Sequence, residues 1–482
     1  MEEHGREIGP KVPWLPAARW FAMKGGDGRI VLYDIARIPL GVRSRLATKQ
    51  PTFVGLVELV QRDMPGETGR FFLPLSKSDG GFEDASCSDA FVAWLVKAVL
   101  DDESLPGGDG RFEGHAVTPR KSPSRGMPLS IADIGGDASN TSLAVSYSGG
   151  LAVIVKLVRR CRAGVHPEVE VGRFLSESPV RADVPKLLGW LDYVPSERAG
   201  DAGPATVAIV HERVDAQGSA WEVMMASATA DWPRCLSLAA SLGQTTARLH
   251  AALASRDDDP AFAPEPWTAD AWAAAVRSME LHATRVLDHL EQLRETPPAC
   301  LAAHLAAVAS DRSRIMAGFA EQATMPPSTH RIRVHGDYHL GQVLVGRGDD
   351  RCVVIDFEGE PARSLSERRE KTSAAKDVAG MCRSFDYLLR VLAKDGRRPY
   401  TVGDLAILES TFLSAYETTS HSLAAQRPEA RWWPEDRRET DRLLAVYKLD
   451  KALYEVAYEA DHRPDWLEVP LAAIAARDFG GM

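Results

Sequence analysis

The run Val334-His335-Gly336-Asp337-Tyr338-His339-Leu340-Gly341-Gln342-Val343-Leu344, followed by Val353-Val354-Ile355-Asp356-Phe357-Glu358, constrains this chain more than any other part of it. Its apolar, β-branched ends read as two strands joined by a polar loop, a strand–loop–strand hairpin. That hairpin puts three side chains in register: Asp337, an amide five positions on at Gln342, and Asp356 fourteen residues after Gln342. The folds open to the chain are those that place such a hairpin beside a ligand.

The spacing matches the needs of phosphoryl transfer. The first Asp orients an acceptor hydroxyl and takes its proton, while the amide and the second Asp hold Mg²⁺ against nucleotide phosphates. Asp337 is the candidate general base; its alternative is an Asp that caps the turn. Gln342 stands where kinases usually carry Asn, and its carbonyl oxygen can still reach a metal. Asp356 ends an apolar strand and precedes Phe357, as a metal-binding Asp does. Mg²⁺ takes hard oxygen ligands and keeps several waters, so one carboxylate and one amide suffice. Glu358 and Glu360 are either an outer shell or a second metal contact, or surface acids. His339, in the same loop, is a candidate for the acceptor side.

Composition narrows the partners. Of the 482 residues 45% are hydrophobic and 26% charged, the profile of an ordinary globular protein with two or three domains. A net charge of −10 argues against nucleic acid, whose phosphates attract clustered positive charge. Six cysteines without a C-x-x-C pair give no zinc spacing and suit reduced thiols. No apolar run approaches a membrane span, and the N-terminus lacks signal-peptide regions, so the expected location is the cytoplasm.

Along the chain, Ile30–Ile38 and Thr52–Leu59 read as strands and Ala90–Leu100 as a helix. Pro106-Gly107-Gly108-Asp109-Gly110 is a boundary loop. From there to about residue 215 the pattern is mostly strand, including 151–158 and 206–210, with a helix over Glu168–Glu177. Beyond 220 helical spacing prevails at Arg234–Ala254, Leu301–Ala320, Ser373–Ala393 and Asp404–Tyr416. The expectation is an α+β, bilobal fold like that of eukaryotic protein kinases. The pattern divides it into a first segment over 1–110, a β-rich nucleotide-binding domain over 111–215 and a helical catalytic lobe over 216–482.

Lys156 interrupts the apolar strand 151–158. There it would face a nucleotide cleft and touch phosphates, held by Glu170 on the next helix; the alternative is a lysine at a strand edge. The small-residue loop before it, with Ser139, Asn140 and Thr141, could cover phosphates, though a plain hairpin turn would look the same. Glu212 and Val214 fall where a hinge would pair with adenine through its backbone. A second cluster, Arg431-Trp432-Trp433-Pro434-Glu435-Asp436-Arg437-Arg438-Glu439-Thr440-Asp441, offers Trp432 or Trp433 to stack on a sugar ring. Glu435, Asp436, Glu439 and Asp441 could bind hydroxyls or an ammonium group. The alternative is a helix start, with Pro434 in its first turn and acids near its N-terminus.

From residue 334 onward the chain resembles the maltokinase-like family, within the aminoglycoside-phosphotransferase-like kinases. The carrying residues are His335-Gly336-Asp337-Tyr338-His339-Leu340-Gly341-Gln342, Asp356-Phe357-Glu358-Gly359-Glu360-Pro361, Asp377-Val378-Ala379-Gly380-Met381 with Arg383-Ser384-Phe385-Asp386-Tyr387, and Leu449-Asp450-Lys451-Ala452-Leu453-Tyr454-Glu455. Tyr458-Glu459 and Arg463-Pro464-Asp465-Trp466 continue it, and Arg19-Trp20-Phe21-Ala22-Met23-Lys24 resembles the start of the family's cap domain. The resemblance implies the three-domain plan, ATP and Mg²⁺. Maltokinases act on the anomeric hydroxyl of maltose; related actinobacterial proteins of the same architecture, glucosamine kinases, act on the 6-hydroxyl of glucosamine. The connector that holds the Trp-Trp-Pro-Glu-Asp cluster is longer here than in maltokinases. Carboxylates beside aromatics suit an ammonium-bearing sugar, since a charge-assisted hydrogen bond is worth roughly 1.5–3 kcal/mol. The expected activity is thus an aminosugar kinase acting on glucosamine. The alternatives are a maltokinase, an aminoglycoside phosphotransferase, or a non-catalytic sugar-binding protein, the last disfavoured by the presence of both Asp337 and Asp356. Without a His-Arg-Asp loop or an Ala-Pro-Glu segment, a protein kinase is not expected.

Overall fold

A computed structural model describes residues 7–18, 20–21, 28–39, 51–61, 69–118, 127–135, 140–196, 203–295, 298, 300–361, 363–427 and 430–476. The chain forms two compact units. The first holds residues 1–176, 185–214 and 361–365; the second holds 177–184, 215–360 and 366–482.

The first unit is built on two antiparallel sheets. One joins β1 (Gly28–Arg37), β2 (Thr52–Gln61), β3 (Gly69–Ser78) and β4 (Gly81–Asp84), with β10 (Arg160–Cys161) added beside β3. The other contains β5 (Ser104–Pro106), β6 (Gly110–Ala116), β7 (Ser130–Asp133), β8 (Asn140–Ser146), β9 (Ala152–Val158), β11 (Leu187–Pro195) and β12 (Ala205–Glu212), in the order β5-β6-β11-β12-β9-β8-β7. The boundary expected near residue 110 therefore falls between two paired strands, β5 and β6. Helix α1 (Asp89–Leu100) starts where the Ser88 hydroxyl accepts the Phe91 N–H, and packs its apolar face on β6 and β11. Helix α2 (Pro167–Glu177) follows β10.

The Pro106-Gly107-Gly108 loop serves as an anchor. Asp34 of β1 is buried and accepts the Gly108 N–H at 2.7 Å and the Tyr193 hydroxyl at 2.8 Å. A Cβ on Gly107 would lie 2.5 Å from the Asp34 carboxylate, so only glycine lets the loop close on it.

The second unit is mainly helical. Its helices are α3 (Ala220–Ala230), α4 (Trp232–Leu253), α5 (Ala269–Arg294), α6 (Ala302–Gln322), α7 (Leu365–Arg368, whose first residue belongs to the other unit), α8 (Ala375–Lys394), α9 (Val402–Ala424), α10 (Arg437–His462) and α11 (Glu468–Ala476). Three strands, β13 (Ala216–Ser219), β16 (Val343–Gly346) and β17 (Cys352–Val354), form a small sheet; β14 (Glu265–Pro266) pairs with β15 (His330–Arg331). A capping box between Ser219 and Glu222 starts α3, and Asp231 with Pro233 starts α4. Helix α4 packs along α9, and α10 packs on α8 and α5. The hairpin expected over 343–354 is present as β16 and β17, and the polar loop before it rests on α8. Among the described residues no helix is long and apolar enough to cross a membrane.

Candidate active site

In the first unit Lys156 projects from β9, a strand flanked by β12 and β8. It is therefore not a strand-edge lysine. Its side chain is buried and donates to Glu168 at 2.8 Å, with His211 Nε2 3.8 Å from the same carboxylate. Burying an ammonium costs several kcal/mol unless it is paired, and the pair seldom returns more than that cost. A lysine kept there suits a task for its charge. The partner is Glu168 and not the expected Glu170: two residues turn a helix by about 200°, so the two acids leave α2 on different faces. Ser139 lies outside the described residues. Asn140 and Thr141 were expected in a phosphate-covering loop but begin β8, and the Thr141 hydroxyl accepts from Arg159 at 3.0 Å. Glu212 closes β12 and donates its backbone N–H to Lys186; Val214 lies just past the strand.

In the second unit the loop 335–342 is held from below by α8. Asp377, buried in the first turn of that helix, accepts the backbone N–H groups of His335 at 2.7 Å and Gly336 at 2.9 Å. Gly336 adopts a φ of 88°, open mainly to glycine. Ser384 accepts the Leu340 N–H at 3.1 Å. A Cβ on Gly380 would stand 2.6 Å from the Tyr338 carbonyl, so a bare backbone on α8 lets the loop seat. His335 Nδ1 accepts the Asp337 N–H, which leaves Nε2 to donate to the Ile355 carbonyl at 2.8 Å and to tie the loop to the strand that ends at Asp356.

Asp337 meets the ammonium of Lys451, on α10, at 2.8 Å through Oδ1. Burial by itself would push the Asp337 carboxyl up; Lys451, then His339 and His335, overcome it and hold it well below the usual carboxylate range. Burial likewise opposes the charge on Lys451, and Asp337 and Glu360 hold its pKa above the ordinary lysine value. Gln342 donates its amide N–H to Asp356 Oδ2 at 2.8 Å. Asp356 has a φ of 70°, in the left-handed region. The Asp356 carboxylate and the carbonyl oxygen of the Gln342 amide, whose N–H bonds that carboxylate, are hard oxygen donors of the kind Mg²⁺ takes. Glu358 and Glu360 are buried and are not surface acids. Glu360 is 3.5 Å from Lys376 and 3.9 Å from Lys451, and Glu358 opposes the burial that lowers the Arg368 pKa. His339 is half-buried and uses Nδ1 to accept the Gly341 N–H, and burial lowers its pKa.

The aromatic-acidic segment differs from expectation. Trp432 and Trp433 are 3% and 2% exposed, so neither offers a face to a sugar. Trp433 packs edge-on against Tyr416, with ring centroids 4.7 Å apart. The Tyr416 hydroxyl meets His250 Nδ1 at 2.7 Å, and His250 Nε2 meets Asp377 at 3.1 Å. The indole thus ends a buried chain that leads to the backbone of His335 and Gly336. The acids make local contacts. Glu435 pairs with Arg431 and Asp441 with Arg437; Asp436 caps α10; Glu439 accepts the Ser328 N–H and hydroxyl, both at 2.7 Å. The acids lie at a helix start, with Asp436 as its cap, but Pro434 precedes that cap and is not in the first turn.

Residues that sequence reasoning did not assign are Glu168, Asp377, His250 and Lys451. Asp377 and Lys451 lay within resembling motifs, but spacing alone gave them no role.

Residues 130–359 match the phosphotransferase enzyme family. The chain is 34% identical over 235 residues to a glucosamine kinase of Streptacidiphilus jiangxiensis, covering 48% of this chain and 47% of that protein. It is 35% identical over 149 residues to a glucosamine kinase of Mycolicibacterium smegmatis, covering 30% of this chain and 33% of that protein. The matched segments thus span about half or less of these relatives. A solved structure of a glucosamine kinase in complex with glucosamine, ADP and inorganic phosphate superposes with a TM-score of 0.63 at 22% identity, over 95% of this chain and 96% of that one. At that identity the likeness is one of fold, and it extends the α+β kinase-like architecture across nearly the whole chain. Residues 130–359, just under half of the chain, are thus similar to the phosphotransferase enzyme family.

Proposed function

We propose that this protein is an ATP-dependent aminosugar kinase that phosphorylates glucosamine at its 6-hydroxyl. The observation that carries the kinase reading is the set in the second unit: Asp337 paired with Lys451 on a loop that also carries Gln342, which is hydrogen-bonded to Asp356. Asp337 accepts the proton of the acceptor hydroxyl as its oxygen bonds the γ-phosphorus and the bond from phosphorus to the ADP oxygen breaks. Within the first unit, Lys156, paired with Glu168, offers a positive charge of the kind that binds nucleotide phosphates. Gln342 and Asp356 would hold Mg²⁺, which when bound neutralises phosphate charge. The choice of glucosamine rests on the named activity of the relatives and on the fold, because the acids of 435–441 are engaged elsewhere.

The test is ADP release from Mg-ATP with glucosamine, glucose, N-acetylglucosamine, maltose and an aminoglycoside as acceptors. Turnover on glucosamine well above glucose, abolished by Asp337→Asn, is expected. Preferred turnover on maltose sinks the aminosugar reading and keeps the catalytic residues.

A further inference from the structure

We propose that Lys451 is the positioning residue of the general base: its ammonium grips one oxygen of Asp337 and leaves the other for the acceptor hydroxyl. This rests on the kinase reading above. Lys451 lies 114 residues from Asp337 in sequence, and only the path of α10 brings it there. The helix is pinned on both sides of it. Lys448 pairs with Glu409 at 2.7 Å, and Glu455 with the buried Arg383 at 2.7 Å. The Lys451 ammonium also lies 4.5 Å from the Tyr454 ring centroid and 3.9 Å from Glu360, so it has one seat and not several.

Stability does not account for such a pair. Enclosed ion pairs return little net folding energy, and apolar residues of like volume commonly replace them without loss. A base has a use for it. A carboxylate whose Oδ1 is held presents Oδ2 in one direction, and rate depends steeply on that direction. The groups that face Asp337 are His335 and His339 on its own loop, Lys451 and Tyr454 on α10, Arg368, and Glu360 through Lys451. Removing the Lys451 charge leaves burial less opposed, so Asp337 takes up its proton at higher pH. The proton of the acceptor goes to Oδ2 in the forward step, so a protonated Asp337 is inactive and the acid limb of the rate profile moves up.

The experiment follows the Asp337 carboxyl carbon by NMR against pH in aspartate-labelled protein, with Asp337→Asn for assignment, in the native chain, Lys451→Met and Lys451→Arg. It is joined to the glucosamine assay. Lys451→Met is expected to raise the Asp337 midpoint by about one pH unit or more. The same change should lower kcat about 10²-fold with KM nearly unchanged, and move the acid limb upward. Lys451→Arg keeps the charge and should keep the native midpoint and most of kcat. An Asp337 midpoint that does not move in Lys451→Met overturns the proposal whatever the activity, and so does a Lys451→Arg protein as impaired as Lys451→Met. A moved midpoint in a protein whose native form phosphorylates none of the five acceptors supports the grip on Asp337 and sinks the kinase reading instead.

Discussion

Each unit of this protein holds a lysine–carboxylate pair at 2.8 Å: Lys156 with Glu168, buried, and Lys451 with Asp337, partly buried. The two pairs are alike in geometry and opposite in the use proposed for them. In the first the lysine is the proposed working member and the acid its holder. In the second the proposed working member is the acid and the lysine its holder. The first pair closes over 12 residues, from a strand to the following helix, and the second over 114. A buried ion pair therefore says where charge is kept, and only the neighbours say which charge is spent in chemistry. Beside Lys156 stand a second strand residue, His211, and a helix; beside Asp337 stand Gln342 and Asp356 in register.

The strongest test of this contrast is Asp337→Asn. Loss of the base is expected to lower kcat about 10³-fold, roughly 4 kcal/mol, with KM little changed, as read by ADP release. The same variant tests the charge. The folded-state pKa of Asp337 is depressed, so its ionised form adds stability above the ordinary carboxylate value of about 4. That contribution is lost as pH falls through the folded-state value. Urea unfolding at a series of acid pH values should show a shallower loss in Asp337→Asn than in the native protein.

Next in size is the holding member of the first pair. Glu168→Gln should cost about 3 kcal/mol in chemical denaturation and about tenfold in kcat/KM for ATP, because it leaves Lys156 buried without its counter-charge. Glu170→Gln should do neither; the reverse outcome would overturn the assignment of Glu168. Smaller again is Tyr416→Phe, which removes one hydroxyl from the chain Trp433–Tyr416–His250–Asp377. About 1 kcal/mol of stability and a few-fold drop in kcat at constant KM are expected. The least effect is expected from Glu435→Ala with Asp441→Ala, both in surface ion pairs. Activity on glucosamine should stay within about twofold. A rise in KM confined to glucosamine would restore these acids to the acceptor site.

How much of this could be read beforehand follows from the range of the interactions. The hairpin around Asp337 and Asp356 was legible because its chemistry and strand pattern are local. So were the helices over 90–100 and 234–254, whose starts carry their own caps at Ser88 and Asp231. Choosing Glu168 over Glu170 requires the phase of α2, which depends on the sheet face that the helix covers. Lys451 was out of reach because the loop that carries its partner, Asp337, lies 114 residues away in sequence. The double tryptophan misled for a related reason. An indole pair near acids suggests a sugar platform until both rings are seen to be buried, one of them edge-on against Tyr416. The boundary near 110 failed because Asp34 and Gly107 fasten the loop there, so that it is a clasp and not a linker.

The left-handed backbone of Asp356 bears on how this protein can fail. A non-glycine residue there costs about 1–2 kcal/mol, less for Asp than for most. Replacement by glycine would recover that cost while forfeiting contacts that include the bond from Gln342, about 1 kcal/mol. The backbone relief offsets part of the loss. Asp356→Gly should therefore stay folded without the carboxylate proposed to hold Mg²⁺, so a screen for folded protein would pass a chain that the proposed mechanism makes inactive.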